Sequence, residues 1–238
     1  MIRAVLFDAG ATLLHPSPPV EEVYARELAS DGARFDPADL GRALARAWEE
    51  VHAESNPDRY GGVRGEQAFW RAFLNRVRGR MDGGVVSPAC FDRLATHFRN
   101  PASWAIYPDV PETLDALAER GLALGIVSNW DSHLPALLDG LDLTRRFSTV
   151  AVSAIEETGK PDSEIFRRAC ARLGFDPGEC LHVGDSLRED YEGALAAGLA
   201  ALHLDRDGRH DESPDRIRSL AEIAPRLDEH GSPKRAQS

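Results

Sequence analysis

Five short runs rich in Val, Ile, Leu and Ala recur along the chain, at residues 3–7, 123–128, 149–153, 181–184 and 200–204. Their length and lack of alternation are those of strands covered on both faces, as in a parallel sheet. Helix openings stand between them. Asp109 with Pro111 and Glu112 starts one, and Asp162 with Glu164 and Ile165 starts another. Asp176 with Pro177 and Glu179 marks a capped turn. Strand, helix, strand repeats of this kind predict an α/β fold with a doubly wound, Rossmann-like parallel sheet joined by right-handed crossovers.

Residues 16–100 break the rhythm, because no strand pattern occurs there. Four helices are expected instead, over 21–29, 38–54 after the Asp36/Pro37 cap, 66–81 and 88–98. Inserted directly after the first strand, they predict an all-helical cap domain over the carboxyl ends of the sheet, the edge where open α/β sheets bind ligands. The chain therefore divides into an α/β core of residues 1–15 and 101–226 and a cap of residues 16–100. Residues 16–19 and 100–108 are expected to act as hinges. Residues 227–238 are expected to form a disordered tail.

Charge narrows the partners. The 238 residues carry 28 Lys and Arg against 39 Asp and Glu, a net charge of -11 that repels nucleic acid and anionic membranes alike. No apolar run approaches the ~20 residues of a membrane span, and the amino terminus lacks the pattern of a secretory signal. Cys90, Cys170 and Cys180 show no CxxC spacing and read as packing residues. These features together predict a cytoplasmic protein with a small-molecule partner. Only Lys160 and Lys234 are lysines, so 26 of the 28 cations are Arg. An ammonium is retained at 160 in a chain that otherwise prefers guanidinium, and the two differ where a compact charge must sit between close oxygens.

Polar residues end four of the strands. The first runs into FDAGATLL, with Asp8 at its terminus and Thr12 beyond. IVSNWD places Ser128 and Asn129 after the second, where small polar side chains serve equally well as helix caps. Lys160 opens KPDSEIF. The fourth strand ends in HVGDSLREDYEGALAAG, where Gly184 permits a tight turn and Asp185 and Asp190 lie across a helix start. Two such carboxylates suit a hard, oxygen-seeking cation such as Mg²⁺. Each signal alone has a structural reading as a turn former, a cap or a surface charge. Their order along successive strand ends directs all of them to one crevice.

In that order the motifs resemble the haloacid dehalogenase-like (HAD) hydrolase superfamily, in the subfamily I branch with a helical cap after the first strand, over the chain up to about Arg226. The resemblance implies a phosphatase acting on a small phosphorylated metabolite. Asp8 would be the nucleophile that forms an aspartyl-phosphate, and Ser128, Asn129 and Lys160 would bind the phosphoryl group, with Ser128 and Lys160 also counted as catalytic. Mg²⁺ would be held by Asp8, the Gly10 carbonyl and Asp185, and Asp190 would orient the metal ligands from behind. The physics agrees, because a carboxylate nucleophile facing a phosphate needs cations to offset repulsion.

One departure stands out. Phosphatases of this family usually carry a second aspartate two positions after the nucleophile as acid and base, and this chain has Gly10. General acid–base catalysis is worth ~10²- to 10⁴-fold, so a stand-in or a slow reaction is expected. His15 and Asp131 are the nearest stand-ins. A rival reading is a metal-independent haloacid dehalogenase, whose halide leaving group needs no proton, and a third is a weakly active or non-catalytic phosphate-binding protein. His182, inside a strand, is expected to pack with both ring nitrogens satisfied. In the cap, Arg64, Arg71, Arg76, Arg78 and Arg80 against Glu66 form a basic stretch that either grips a second anionic group or pairs with acids elsewhere. Trp48, Phe69, Trp70 and Phe73 read as the packing face of the cap helices.

Overall fold

Strand β1 (Ala4–Phe7) turns Val5 and Phe7 to one face and Ala4 and Leu6 to the other, and all four are buried, so the sheet is covered on both sides. The computed structural model describes residues 1–53, 58–209 and 215–230. The further strands are β2 (Leu14–Pro16), β3 (Trp104–Ile106), β4 (Ala123–Ser128), β5 (Thr149–Val152), β6 (Cys180–Gly184), β7 (Ala200–Leu204) and β8 (Arg216–Ile217). Six of them form a parallel sheet in the order β5-β4-β1-β6-β7-β8. The chain moves outward from β1 through β4 to β5, then returns beside β1 and moves the other way. That reversal leaves a crevice at the carboxyl ends of β1, β4 and β6, where ligands bind in sheets of this kind.

The helices are α1 (Val20–Ser30), α2 (Pro37–Ala53), α3 (Gly62–Met81), α4 (Pro88–Arg99), α5 (Val110–Glu119), α6 (Leu134–Gly140), α7 (Ser153–Glu156), α8 (Ser163–Leu173), α9 (Gly193–Ala196) and α10 (Ile223–His230). Leu114 and Leu117 of α5, Leu134 and Leu137 of α6 and Ile223 of α10 pack with Phe7 on one face. Phe166 and Ala169 of α8 and Ala194 of α9 pack with Leu6 on the other. Apolar residues repeating at helical spacing against a two-faced sheet account for this layering. Asp162 caps α8 by accepting from the Glu164 amide at 2.9 Å. Cys90, Cys170 and Cys180 are buried free thiols, as packing residues should be.

Helices α1 to α4 share a core of their own around Leu28, Leu40, Ala47, Phe73, Val77 and Leu94. An antiparallel ribbon joins the two connections between core and insert, with Leu14 paired to Ile106 and Pro16 to Trp104; β3 lies within the expected hinge 100–108 and β2 reaches the expected hinge 16–19 only at Pro16. Strands of two or three residues, such as β2, β3 and β8, are too short to carry a readable alternation. Helix α3 begins at Gly62, four residues before the expected 66. At the other end α10 continues to His230, so residues 227–230 of the expected tail are helical, and residues 231–238 lie outside the described residues. Among the described residues no helix is long and apolar enough to cross a membrane.

Candidate active site

Asp8 follows the last residue of β1, and its amide donates to the Val183 carbonyl at 2.9 Å, which pins it to the end of β6. Its Oδ1 accepts from the Ser128 hydroxyl, at the end of β4, at 2.9 Å and from Lys160 Nζ at 2.6 Å. The same ammonium donates to Asp190 Oδ1 at 2.5 Å. Lys160 and Asp190 are each about 2% exposed through their side chains, so this is an ion triad largely removed from water. Burying one ammonium between two carboxylates is costly unless each is hydrogen-bonded, and here each is.

Asp190 is held by more than the lysine. His182 Nε2 lies 2.9 Å from Oδ1, and the Ser186 amide donates to Oδ2 at 2.9 Å. A π-helical segment, Leu187–Glu192, brings the residue back under the strand end. Such wide turns are recurrent at functional sites. Gly184 is required there, because a Cβ on it would lie 2.2 Å from Asp190 Cγ. The expectation for His182 is corrected in one respect: Nδ1 has no hydrogen-bond partner among the described residues. Burial holds the imidazole pKa below its usual value against the pull of Asp190.

One cation serves three acids. Ligand oxygens of Asp8, Asp185 and Asp190 lie within 4.8 Å of one another. Burial raises the Asp8 pKa, Lys160 opposes the rise and Asp190 adds to it, so the net direction is upward. Lysine 160 thus divides its charge rather than holding Asp8 ionised alone. For Asp190 burial would also raise the value, but Lys160 and His182 outweigh it and keep the group well below the usual carboxylate range. Asp185 is pushed up to about 7 by desolvation and by the neighbouring Asp8 and Asp190 charges. Carboxylates crowded against each other with too little positive charge are a donor set of the kind hard divalent cations bind. Asp8 and Asp185 fit that role. Asp190, with both oxygens engaged, orients Lys160 instead.

Asn129 is turned away from the role expected of its side chain. Its Nδ2 donates to the Lys160 carbonyl at 2.8 Å and to Glu189 at 3.0 Å, while its Oδ1 accepts from the Lys160 amide at 2.8 Å. The amide therefore clamps the lysine backbone. Gly10 lines the same crevice, and an added Cβ would stand 3.1 Å from the Trp130 ring, so an aromatic wall occupies the space beside it. Of the two expected stand-ins, His15 hydrogen-bonds the Pro16 carbonyl at 3.1 Å and meets the Tyr107 ring at a tilt, with centroids 4.7 Å apart. Asp131 lines the crevice and accepts from Trp70 Nε1 at 3.1 Å and the His133 amide at 3.0 Å.

Sequence reasoning missed the contacts that seat the helical insert over this crevice. Arg59 donates to Glu189 at 2.5 Å, and Glu66 accepts from the Ser132 amide at 2.5 Å and its hydroxyl at 2.9 Å. Partners 66 and 130 positions apart leave no local trace, although a buried Glu66 within an arginine-rich stretch is the one clue. Of those arginines, Arg78 pairs with Asp31 and Asp82, Arg80 pairs with Glu50, and Arg71 lies 4.0 Å over the Phe91 ring. These three are thereby committed within the insert.

The parallel sheet thus brings a carboxylate, a hydroxyl, an ammonium and an acidic pair together at its switch point. The family model for haloacid dehalogenase-like hydrolases matches residues 2–198, and the chain belongs to that family of hydrolases. It is 33% identical over 237 residues to haloacid dehalogenase-like hydrolase domain-containing protein 3 of Danio rerio, covering 95% of this chain and 96% of that one. A phosphoserine phosphatase of Thermus thermophilus is 36% identical over 234 residues, covering 93% and 90%. Among solved structures, a HAD phosphatase of Thermococcus onnurineus superposes with a TM-score of 0.67 at 27% identity, covering 95% and 98%.

Proposed function

We propose that the protein is a Mg²⁺-dependent phosphatase that hydrolyses a small phosphorylated metabolite through an aspartyl-phosphate on Asp8. The observation that carries this reading is Lys160 bridging Asp8 and Asp190 at 2.6 and 2.5 Å, at the sheet edge where phosphate would enter. Residues 1–15 and 101–226 form the catalytic unit in this reading, and residues 16–100 set what enters.

Asp8 attacks phosphorus as the ester P–O bond breaks and its electron pair leaves with the departing oxygen. Water then attacks the phosphorus of the aspartyl-phosphate, the P–O bond to Asp8 breaks and returns its electron pair to the carboxylate, the water's proton passes to solvent, and inorganic phosphate departs. Lys160 and the Ser128 hydroxyl stay beside the reacting oxygens and balance charge that spreads over the phosphoryl group. Asn129, bonded to both the backbone amide and the carbonyl of Lys160, holds the backbone from which the ammonium extends. When bound by Asp8, the Gly10 carbonyl and Asp185, Mg²⁺ supplies the charge that lets an anionic nucleophile approach an anionic ester.

Phosphate release from a panel of esters tests the reading. Activity is expected with Mg²⁺, lost with a chelator and lost in Asp8→Asn. Chelator-resistant release of halide from a 2-haloacid would establish the dehalogenase reading instead, which Gly10 favours and the crowded acids around Asp185 oppose.

A further inference from the structure

The crevice does not end at Asp8. It opens into a cavity of about 1010 Å³ that runs into the helical insert. Trp48, Trp70, Phe73, Leu74, Phe91 and Leu94 line it there. Trp48 and Trp70 stack with ring centroids 6.2 Å apart, and Phe73 meets both edge-on. The packing face expected from the sequence is thus also a wall. Charge near this wall is already engaged: Arg59 lies over the Trp48 ring at 5.3 Å and bonds Glu189, and Asp131 accepts from the Trp70 indole. The other charged lining residues Glu21, Arg99 and Arg188 are solvent-exposed. A sugar or amino acid carries hydroxyl or ammonium groups that lose water on entry, and among the described residues this part of the lining offers them only the Tyr24 hydroxyl, the Tyr60 hydroxyl already turned to the Asn129 carbonyl, and the exposed Gln67. An aromatic ring loses nothing there and gains burial.

The reacting end makes an independent demand. At Gly10 no side-chain acid stands two residues from the nucleophile, and the Trp130 ring lies 3.1 Å from where its Cβ would be. An alkoxide leaves poorly without a proton, whereas a phenolate leaves as the anion and is protonated afterwards by water. Both ends therefore select the same kind of molecule. Resting on the phosphatase reading, we infer that the substrate is an aryl phosphate, a phosphomonoester of an aromatic hydroxyl whose ring lies in the cavity against the wall of Trp48, Trp70 and Phe73. Asp8 takes the phosphoryl group, the phenolate carries away the bonding electrons, and the products after water attack are the phenol and inorganic phosphate.

Four phosphates separate the two demands: 1-naphthyl phosphate, acetyl phosphate with a good leaving group and no ring, cyclohexylmethyl phosphate with bulk and a poor leaving group, and glycerol 3-phosphate with neither. With Mg²⁺, kcat/KM for naphthyl phosphate is expected to exceed that for cyclohexylmethyl phosphate by about 10²-fold or more, the value of the missing acid. The KM for acetyl phosphate is expected to lie at least about tenfold above that for naphthyl phosphate, because no apolar area is buried. In Trp48→Ala the ratio of naphthyl to acetyl phosphate kcat/KM should fall about tenfold, a change that partial unfolding, acting on both, would not produce. Glycerol 3-phosphate turned over as well as naphthyl phosphate overturns the aryl assignment. So does comparable use of cyclohexylmethyl phosphate, which would reveal an acid such as the neighbouring Asp131–His133 pair. Hydrolysis of acetyl phosphate but not naphthyl phosphate overturns the assignment and leaves the phosphatase reading standing. Phosphate released from none of the four overturns both.

Discussion

The two ends of the cavity are held in opposite ways. At the sheet end, Asp8, Ser128, Lys160 and Asp190 are joined by bonds of 2.5–2.9 Å, from the ends of β1 and β4, the loop between α7 and α8, and the π-helical segment. At the insert end, the walls are aromatic and aliphatic side chains on helices, and the insert meets the core through a few polar contacts such as Glu66 with Ser132 and Arg59 with Glu189. In the proposed reaction the sheet end would position the reacting groups, and the separately packed helical cluster would shape the space for the leaving group. Changes at the first end should therefore act on kcat, and changes at the second on selectivity and KM.

Lys160→Met attacks the comparison at its strongest point. Removing the ammonium leaves Asp8 and Asp190 buried against each other, and breaking a buried pair of this kind costs about 3–5 kcal/mol. Turnover is expected to fall by about 10³-fold or more with a lowered thermal midpoint. A folded variant of near-normal kcat would break the distinction between the two ends. Gly184→Ala comes next. Its Cβ would collide with Asp190 at 2.2 Å, and since overpacking forces shifts worth about 1–3 kcal/mol, kcat should drop by roughly 10- to 100-fold while aryl binding persists.

Glu66→Ala sharpens the other side. Loss of two hydrogen bonds from a buried carboxylate to Ser132, worth about 1–3 kcal/mol, should raise KM more than it lowers kcat, read from steady-state kinetics. The smallest effect is expected at Asp109, which belongs to neither end. Burial raises its pKa, but Arg206, Ser219 and the Leu220 amide more than reverse this and hold it below the usual carboxylate range. A group depressed on folding stabilises above its unfolded pKa and loses that contribution as pH falls through the folded value. Chemical denaturation should find Asp109→Asn less stable than the parent at neutral pH, with the gap closing in acid.

Much of the sheet end was legible from the sequence because buried parallel strands are near-continuous apolar runs, and the chain leaves each run at a polar residue. Asp8 and Ser128 could be placed on that basis before any coordinates, whereas Lys160, expected at a strand end, lies between α7 and α8, eight residues beyond β5. The bending of Leu187–Glu192 into a π-helical segment was not legible, so the engagement of both Asp190 oxygens was not either. Asn129 looked like a phosphate ligand because a short amide at a strand end serves a ligand or a backbone equally well, and only the fold shows it clamping Lys160. The insert's helices followed from their periodicity, but the wall they form did not: a stripe of Trp and Phe has the same spacing whether it packs inward or borders a cavity. Contacts such as Arg59 with Glu189 depend on how two separately packed clusters meet.

The claim on which all of this rests is that the carboxylate of residue 8 becomes covalently phosphorylated. Acid quenching during turnover of 1-naphthyl phosphate with Mg²⁺, followed by borohydride reduction, converts an acyl phosphate on aspartate to homoserine. Peptide sequencing by mass spectrometry is expected to find homoserine at position 8 and nowhere else, and none without substrate. An unmodified Asp8 during active turnover, or a phosphoryl group trapped on another residue, would contradict it.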